Sequence, residues 1–190
     1  MPIKKIKCEK LIVFLSISIK SKQLANNNYI QSETMRCKTV FTKQVLDDKY
    51  ALSLYNFLKK NIEWEEGVRS KKGFTRKAKM LSVGDLPEVD EAVAISLSVL
   101  TKINYDVNFY YLNYYEDGNM WTPNHSHKGT HQLVISLGET RTLEVAKKSY
   151  KMENGDAVIF GSAIHGVPKD NSKNGRITIA TFMVPSLNQK

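Results

Sequence analysis

Residues 107–138 read VNFYYLNYYEDGNMWTPNHSHKGTHQLVISLG, and this stretch decides the fold. In its first half an aromatic-rich run alternates, with single residues between Val107, Phe109, Tyr111 and Asn113. Because successive side chains of a strand point to opposite faces, the alternation predicts a β-strand with one buried face. Acidic residues, a glycine and an asparagine then predict a turn, and the chain resumes in a histidine-rich segment.

Further strands are predicted downstream of this run. They are short, rich in β-branched or aromatic residues and separated by Gly, Asn, Asp and Lys. The predicted segments are Leu133–Leu137, Thr142–Ala146, Ala157–Phe160 and Ile177–Val184.

Two helices are predicted upstream. Val45–Ile62 has apolar residues at helical spacing, and Asp90–Leu100 reads as a second helix with Asp90 as a possible N-cap. Between them, Glu65–Lys79 is predicted to be a polar, basic loop. Helices followed by many short strands predict an α+β chain, mainly β, in which the helices buttress an antiparallel β-sandwich or jelly roll. We expect a single domain over residues 1–190, with an N-terminal part (1–105) and a β-core (106–190).

Composition leaves the choice of partner open. The net charge of +9 favours a polyanion such as nucleic acid, or else a lysine-rich solvated surface. Cys8 and Cys37 fit no metal or redox spacing, so we expect free thiols and an intracellular, cytoplasmic or nuclear protein. Leu11–Ile19 is shorter than the roughly 20 apolar residues of a membrane span, and no small-residue cleavage pattern follows it, so we expect a structural strand rather than a signal peptide, and no membrane partner. The sequence leaves the oligomeric state open, and we assume a monomer.

All four histidines lie in one part of the chain. In a strand, His125 and His127 would present two imidazoles to one point, and His165 could add a third. Three ligands on one face of an octahedron, with open positions opposite, are typical of non-haem iron oxygenases. His131 is not expected to be a ligand, because Gly129 argues against a helical His-x-x-x-His pair.

Arg176 could complete such a centre. A keto-diacid that binds a metal through its keto-acid end leaves one carboxylate pointing inward, and a planar guanidinium matches that carboxylate with two parallel hydrogen bonds. The alternative for an arginine in a strand is an exposed salt bridge.

The order and framing of these motifs resemble the AlkB-like branch of the 2-oxoglutarate- and Fe(II)-dependent dioxygenases. The resemblance covers roughly residues 107–184. It is carried by the segments Asn113–Gly118, Trp121, His125–His127, Val134–Gly138, Gly155–Gly161, His165–Val167 and Gly175–Phe182.

The resemblance implies a double-stranded β-helix of cupin-like form over residues 106–190, covered on its substrate side by residues 1–105. It also implies Fe(II) and 2-oxoglutarate as cofactors and, as activity, oxidative demethylation of alkylated nucleic acid with a role in DNA repair. Site residues carry over as follows: His125 and His165 as iron ligands, His127 at the place of an aspartate ligand, Arg176 on the distal carboxylate with Thr178 beside it, and Asn113 and Tyr115 on the co-substrate. The chain departs from the family at His127, and at Phe182 or Met183, where the AlkB branch has a second arginine.

A basic segment precedes this core. Residues 69–79, RSKKGFTRKAK, concentrate positive charge around one aromatic residue and could follow a phosphate backbone. The candidate substrate-binding residues are Arg69, Lys71, Lys72, Phe74 and Arg76, together with Trp121, which lies close to the histidines. The alternative is a solvated loop with Phe74 in the core.

Three functional hypotheses follow. The first is demethylation of alkylated DNA or RNA. The second is 2-oxoglutarate-dependent hydroxylation of a protein or a small molecule. The third is a non-catalytic nucleic-acid binder that has lost the carboxylate iron ligand.

Overall fold

The computed structural model describes residues 38–70 and 73–186, with the backbone alone for residues 67–70, 73 and 74. The predicted strand Leu11–Ile19 and both cysteines lie outside this part of the chain. None of the described helices is long and apolar enough to cross a membrane.

The fold consists of two antiparallel sheets that face each other and two helices. The helices are α1 (Asp48–Asn61) and α2 (Pro87–Leu100). The larger sheet has the strand order β1-β9-β6-β11-β4-β3-β2, and the smaller sheet has the order β5-β10-β7-β8. The strands are β1 (Val40–Thr42), β2 (Glu65–Ser70), β3 (Gly73–Leu81), β4 (Tyr105–Tyr115), β5 (Thr122–His125), β6 (His131–Gly138), β7 (Arg141–Val145), β8 (Lys148–Met152), β9 (Ala157–Phe160), β10 (His165–Val167) and β11 (Arg176–Pro185).

Alternation along the central strands separates two apolar clusters. On β6, Leu133, Ile135 and Leu137 face the helices, where they pack with residues such as Leu58 and Val89. The opposite face of the larger sheet packs against the smaller sheet through the second cluster: Tyr115, Val134, Val158, Phe160 and Ala180 from the larger sheet, and Leu143, Val145, Met152 and Val167 from the smaller one. This two-layer, mainly β arrangement confirms the predicted jelly roll buttressed by helices.

The first helix confirms its prediction closely. α1 begins at Asp48 because Asp47 accepts hydrogen bonds from the backbone N–H groups of Lys49 (3.0 Å) and Tyr50 (3.2 Å). The second helix begins earlier than predicted. Its first residue is Pro87, whose fixed φ suits that position, so Asp90 is not the N-cap. The Asp90 carboxylate instead accepts a hydrogen bond from the Tyr110 hydroxyl at 2.6 Å.

The prediction of a polar, basic loop over Glu65–Lys79 is wrong. Residues 65–70 and 73–81 form the paired strands of the β2–β3 hairpin, whose register shifts twice along β2, and β3 pairs with β4 along Lys77–Leu81. The polar composition of these strands is typical of a loop and led to the wrong prediction. In the structure, strand residues Lys77 and Lys79 form ion pairs with Glu116 (2.9 Å) and Glu65 (3.2 Å). Together with β1, this hairpin joins the N-terminal part of the chain to the sheet of the β-core.

Candidate metal centre

A cavity of about 420 Å³ lies between the two sheets. The pleat of β4 and β11 turns alternate side chains into it, among them Asn113, Tyr115, Arg176 and Thr178. The cavity therefore contains histidine, arginine and amide side chains on an otherwise apolar inner face. Its lining residues are Arg76, Met80, Phe109, Tyr111, Asn113, Tyr115, Thr122, His125, His127, Gln132, Val134, Leu143, His165, Gly166, Val167, Arg176, Thr178, Ala180 and Phe182.

Three imidazoles meet at one side of this cavity. The side-chain nitrogens through which His125, His127 and His165 could bind a metal all lie within 4.8 Å of one another. His125 ends β5, and His165, the first residue of β10, is paired directly opposite it. The prediction that His127 lies on the same strand as His125 is wrong. His127 lies in the loop that follows β5. Gly129, at φ +75°, turns that loop back toward β6.

Hydrogen bonds fix the orientation of two of these rings. The Nδ1 atom of His125 lies 2.7 Å from the Pro123 carbonyl oxygen, and Nδ1 of His165 lies 2.9 Å from that of Ala163. Because a carbonyl oxygen only accepts, both Nδ1 atoms must be protonated, which leaves the Nε2 lone pairs for a metal.

Burial favours the neutral form of two of these ligands. It lowers the pKa of His165 to about 4, because the protein interior disfavours the charged imidazolium. Burial also lowers the pKa of His127, with a further contribution from the positive charge of His125. Neutral imidazole is the form that binds metal ions.

Within the described part of the chain, the group of potential ligands contains no carboxylate. The three acidic residues that most closely precede His125 in the sequence are engaged elsewhere: Asp106 accepts a hydrogen bond from Ser186, Asp117 accepts one from the backbone of Asn119, and Glu116 pairs with Lys77. The donor set is therefore three imidazoles, which suit iron but also zinc, copper or nickel.

His131 lies outside this group, as expected. It begins β6, and its Nδ1 lies 2.8 Å from the Tyr105 hydroxyl.

Arg176 lies fully buried in the same cavity. Its Nε donates a hydrogen bond to Ser136 Oγ at 2.9 Å, whereas Nη1 and Nη2 are buried without a partner among the described residues. Burial lowers the pKa of Arg176 to about 10, because the protein interior disfavours the charged guanidinium, and Tyr115 and Asp170 counteract this only in part. A guanidinium with two unsatisfied nitrogens is a receptor for a carboxylate.

The other residues predicted to bind the co-substrate surround Arg176. Asn113 Nδ2 donates a hydrogen bond to Thr178 Oγ1 at 3.2 Å, across the β4–β11 pairing. The Tyr115 ring lies against the Arg176 guanidinium at 5.7 Å, and its hydroxyl is hydrogen-bonded to Thr122 at 2.6 Å. The Tyr115 hydroxyl is thus already engaged within the protein.

The residues predicted to bind substrate have different outcomes. Arg76 is buried and lines the cavity, whereas Trp121 is not among the lining residues. Trp121 directly precedes Thr122, whose side chain faces the cavity, and neighbouring residues of an extended chain point to opposite sides. Lys71 and Lys72, and the side chains of Arg69 and Phe74, lie outside the described part of the structure.

Sequence reasoning missed two features of the site. Phe109 and Phe182 stack at 4.5 Å on the cavity wall, and Phe182 meets His127 edge to face at 4.8 Å. Arg141 contacts the Tyr115 ring, which lines the cavity, with its guanidinium 5.2 Å from the ring centre. Arg141 also forms an ion pair with Asp170 at 3.0 Å and donates hydrogen bonds to three backbone carbonyl oxygens. The alternation of Phe109 along β4 signalled its inward direction, but the role of Arg141 depends on contacts that are distant in sequence.

No family model matches the sequence, and no curated protein matches it. Solved structures do. A prolyl-4-hydroxylase from Pseudomonas putida superposes with a TM-score of 0.56 at 12% identity, over 84% of this chain and 98% of that chain. HygX from Streptomyces hygroscopicus, with nickel and 2-oxoglutarate bound, gives a TM-score of 0.61 at 9% identity, over 78% of this chain and 83% of that chain. The α-ketoglutarate-dependent epimerase SnoN, from nogalamycin biosynthesis, gives 0.63 at 10% identity, over 85% and 81%.

These matches cover most of each chain, but the sequence identity is low. The similarity is therefore one of fold. The chain therefore has the fold of the 2-oxoglutarate- and Fe(II)-dependent oxygenases.

Proposed function

We propose that the protein is a 2-oxoglutarate- and Fe(II)-dependent oxygenase. The observation that carries this proposal is the Arg176 guanidinium, whose Nη1 and Nη2 are buried without a partner in the cavity that also contains three imidazoles. An unpaired buried cation is costly, and a carboxylate ligand would remove that cost.

The side chains fit both cofactors. His125, His127 and His165 would hold the metal, and Arg176 would bind the distal carboxylate of 2-oxoglutarate, with Thr178 beside it. When bound, the metal and the keto-acid would supply the oxidising chemistry, with molecular oxygen as the oxidant: one oxygen atom would enter the keto-acid, which loses carbon dioxide and becomes succinate, and the other would enter the substrate.

The remaining residues position and enclose the reactants. The hydrogen bonds from Nδ1 of His125 and His165 to carbonyl oxygens keep both Nε2 atoms directed at the metal. The Asn113–Thr178 hydrogen bond and the Tyr115 ring define the wall along which 2-oxoglutarate would lie. Apolar residues such as Val134 and Leu143 limit the access of water to this space.

Alkylated nucleic acid is one candidate substrate, and nucleic acid is then the partner. The net charge of +9 and the basic β2–β3 hairpin beside the cavity support it. A protein or a small molecule is the second candidate. It is supported by the enclosure of Arg76 in the cavity and by the ion pairs of Lys77 and Lys79, which leave fewer free cations for a phosphate backbone.

Turnover tests the activity. Purified protein with Fe(II) and 2-oxoglutarate should release succinate, and a methylated oligonucleotide should add formaldehyde if nucleic acid is the substrate. An oligonucleotide substrate must also show binding that weakens steeply with salt, because phosphate contacts release counterions. Succinate release that is absent from the wild-type protein across nucleic-acid, peptide and small-molecule substrates would contradict an oxygenase.

The non-catalytic alternative has its own test. If the three-histidine set is a working centre, the wild-type protein binds Fe(II), and His127→Ala weakens that binding more than His127→Asp does. Iron binding and turnover that appear only in His127→Asp would identify the wild-type chain as a non-catalytic binder.

A further inference from the structure

Arg76 is a second arginine of the cavity. It lies on β3, which pairs with β4, and only 8% of its surface is exposed. Ala78, two residues along the strand, is paired with Asn113, so Arg76 shares the inward-facing side of the sheet. Arg76 was predicted to contact a phosphate backbone at the protein surface. In the structure it is instead a buried cation that lines the same cavity as the three imidazoles.

Hydrogen bonds hold this guanidinium in place without neutralising it. Its Nε donates to Asn113 Oδ1 at 2.5 Å, and its Nη1 donates to Thr75 Oγ1 at 3.2 Å. Both acceptors are neutral. No hydrogen bond of Nη2 and no ion pair of Arg76 occur within the described ranges 38–70 and 73–186.

The co-substrate does not supply the missing counter-charge. 2-Oxoglutarate carries two carboxylates: under the proposed function, one binds the metal and the other binds Arg176. No aspartate or glutamate is among the described residues that line the cavity. Arg76 therefore retains an uncompensated positive charge after the cofactors are bound, and burial makes that charge costly.

We propose that Arg76 binds a carboxylate or phosphate group of the primary substrate, and that this substrate is a small anionic molecule. The proposal rests on the proposed oxygenase function. Further along the same sheet, the Phe109–Phe182 pair offers an apolar surface that reaches His127. A substrate with an anionic end on Arg76 and a carbon skeleton on this aromatic pair would have its carbon atoms beside the metal ligands.

The surroundings of Arg76 favour a small molecule over a polymer. A phosphate backbone is bound by several free cations along a groove. The neighbouring cations of β3, Lys77 and Lys79, are ion-paired and Arg76 stands alone inside the cavity.

Two measurements on the full chain test this proposal. In the first, arginine side chains are isotope-labelled, and the Nε–H signal of Arg76 is followed by NMR during titration with acetate, inorganic phosphate and neutral acetamide. The signal is assigned by its loss in Arg76→Gln. In the second, the Mn(II)-loaded wild type, Arg76→Gln and the control Lys77→Gln are titrated with 2-oxoglutarate and with a panel of small anions and their neutral counterparts. Lys77→Gln removes a cation from the opposite face of the same strand.

We expect acetate or phosphate to shift the Arg76 signal and acetamide to leave it unchanged. In a panel of carboxylates and phosphate monoesters matched with their amides and alcohols, the wild type and Lys77→Gln should bind the anionic members at least about tenfold more tightly, and Arg76→Gln should lose this preference. Affinity for 2-oxoglutarate should stay within about threefold in Arg76→Gln, because Arg176 supplies its distal contact.

Three results would overturn the proposal. An Arg76 signal that ignores small anions excludes an anion site. A loss of 2-oxoglutarate affinity in Arg76→Gln, with no change in the anion preference, assigns Arg76 to the co-substrate. Tight oligonucleotide binding that depends on Arg76 assigns it to a polymer. Wild-type protein that binds neither Mn(II) nor 2-oxoglutarate would refute the oxygenase, whereas the NMR titration would still decide the anion site.

Discussion

At the scale of single residues, the cavity is lined by two arginines, Arg76 and Arg176, and by no aspartate or glutamate among the described residues. Arg176 is fully buried, and its only hydrogen bond to the described residues is donated to a serine hydroxyl. Proteins tolerate such a group where a ligand completes it. The buried, unpartnered nitrogens of Arg176 therefore reduce the stability of the ligand-free protein and suit a carboxylate ligand.

Removal of the Arg176 charge should strongly weaken co-substrate binding and spare the metal. For Arg176→Met we expect the affinity for 2-oxoglutarate to fall by about a hundredfold, since each hydrogen bond to a charged group contributes about 1.5–3 kcal/mol. Arg176→Lys should recover only part of this loss, because an ammonium lacks the planar fork. Calorimetric titration of Mn(II)-loaded protein measures both. An unchanged affinity in Arg176→Met would show that the carboxylate binds elsewhere.

His165 should make the stability of the metal-free protein depend on pH. Its pKa is lowered by burial to about 4, below the ordinary value of 6.5. As the pH falls from 6.5 to about 4, the unfolded chain binds a proton that the folded chain does not. This group's contribution is therefore complete above pH 6.5 and decreases by up to about 1.4 kcal/mol per pH unit below it.

Denaturant unfolding of the wild type and of His165→Gln at several pH values isolates this contribution, because the carboxylates titrate alike in both proteins. The variant should show a shallower decline between pH 6.5 and 4. Parallel curves would mean that His165 is solvated in the folded protein.

At the scale of elements, the sequence predicted those parts whose pattern is local. The strand Ala157–Phe160 has its predicted bounds, and α1 lies within its predicted range. The strands β1, β5, β8 and β10 were missed because each has only three to five residues and, unlike Ala157–Phe160, none is a continuous apolar run.

The candidate site was predicted in the same uneven way. Motif order indicated His125, His165 and Arg176, which the fold brings into one cavity. The direction of Arg76 and the contacts of Arg141 could not be predicted, because they depend on the register of β3 against β4 and on segments joined only by folding.

Gly138, the last residue of β6, tests how tightly the elements around Arg176 are packed. Gly138 is paired with Arg176 and has φ +83°, and a Cβ there would lie 2.7 Å from the Gly175 carbonyl oxygen and 2.8 Å from the Tyr55 ring. Gly84, at φ +91°, has nothing within 4 Å. Alanine at Gly84 should cost about 1–2 kcal/mol of backbone strain, and alanine at Gly138 clearly more.

Denaturant unfolding measures the loss of stability in each alanine variant. Both variants carry the backbone strain of a positive φ, so the difference between them gives the cost of the steric clash at Gly138. Equal losses in Gly84→Ala and Gly138→Ala would mean that the end of β6 can move away from β11 and α1 without cost.

At the scale of the whole molecule, ligand binding should be visible as stability. A ligand that binds only the folded state at a hundred times its Kd adds about 2.7 kcal/mol, and for a chain of this size that raises Tm by roughly 5–10 °C. We expect 2-oxoglutarate to produce this rise only after Mn(II) is bound, because the keto-acid end otherwise lacks its partner. A thermal-shift experiment with each ligand alone and both together measures the order. A full shift by 2-oxoglutarate alone would contradict a metal-dependent site.

The central claim is that three imidazoles bind one metal ion while Arg176 binds the far end of a keto-diacid. A crystal structure with Mn(II) and 2-oxoglutarate tests it most directly. The account predicts a ligand nitrogen of each of His125, His127 and His165 at about 2.0–2.2 Å from the ion. It also predicts both Nη atoms of Arg176 donating to the distal carboxylate. A metal bound without His127, or a carboxylate bound away from Arg176, would contradict it.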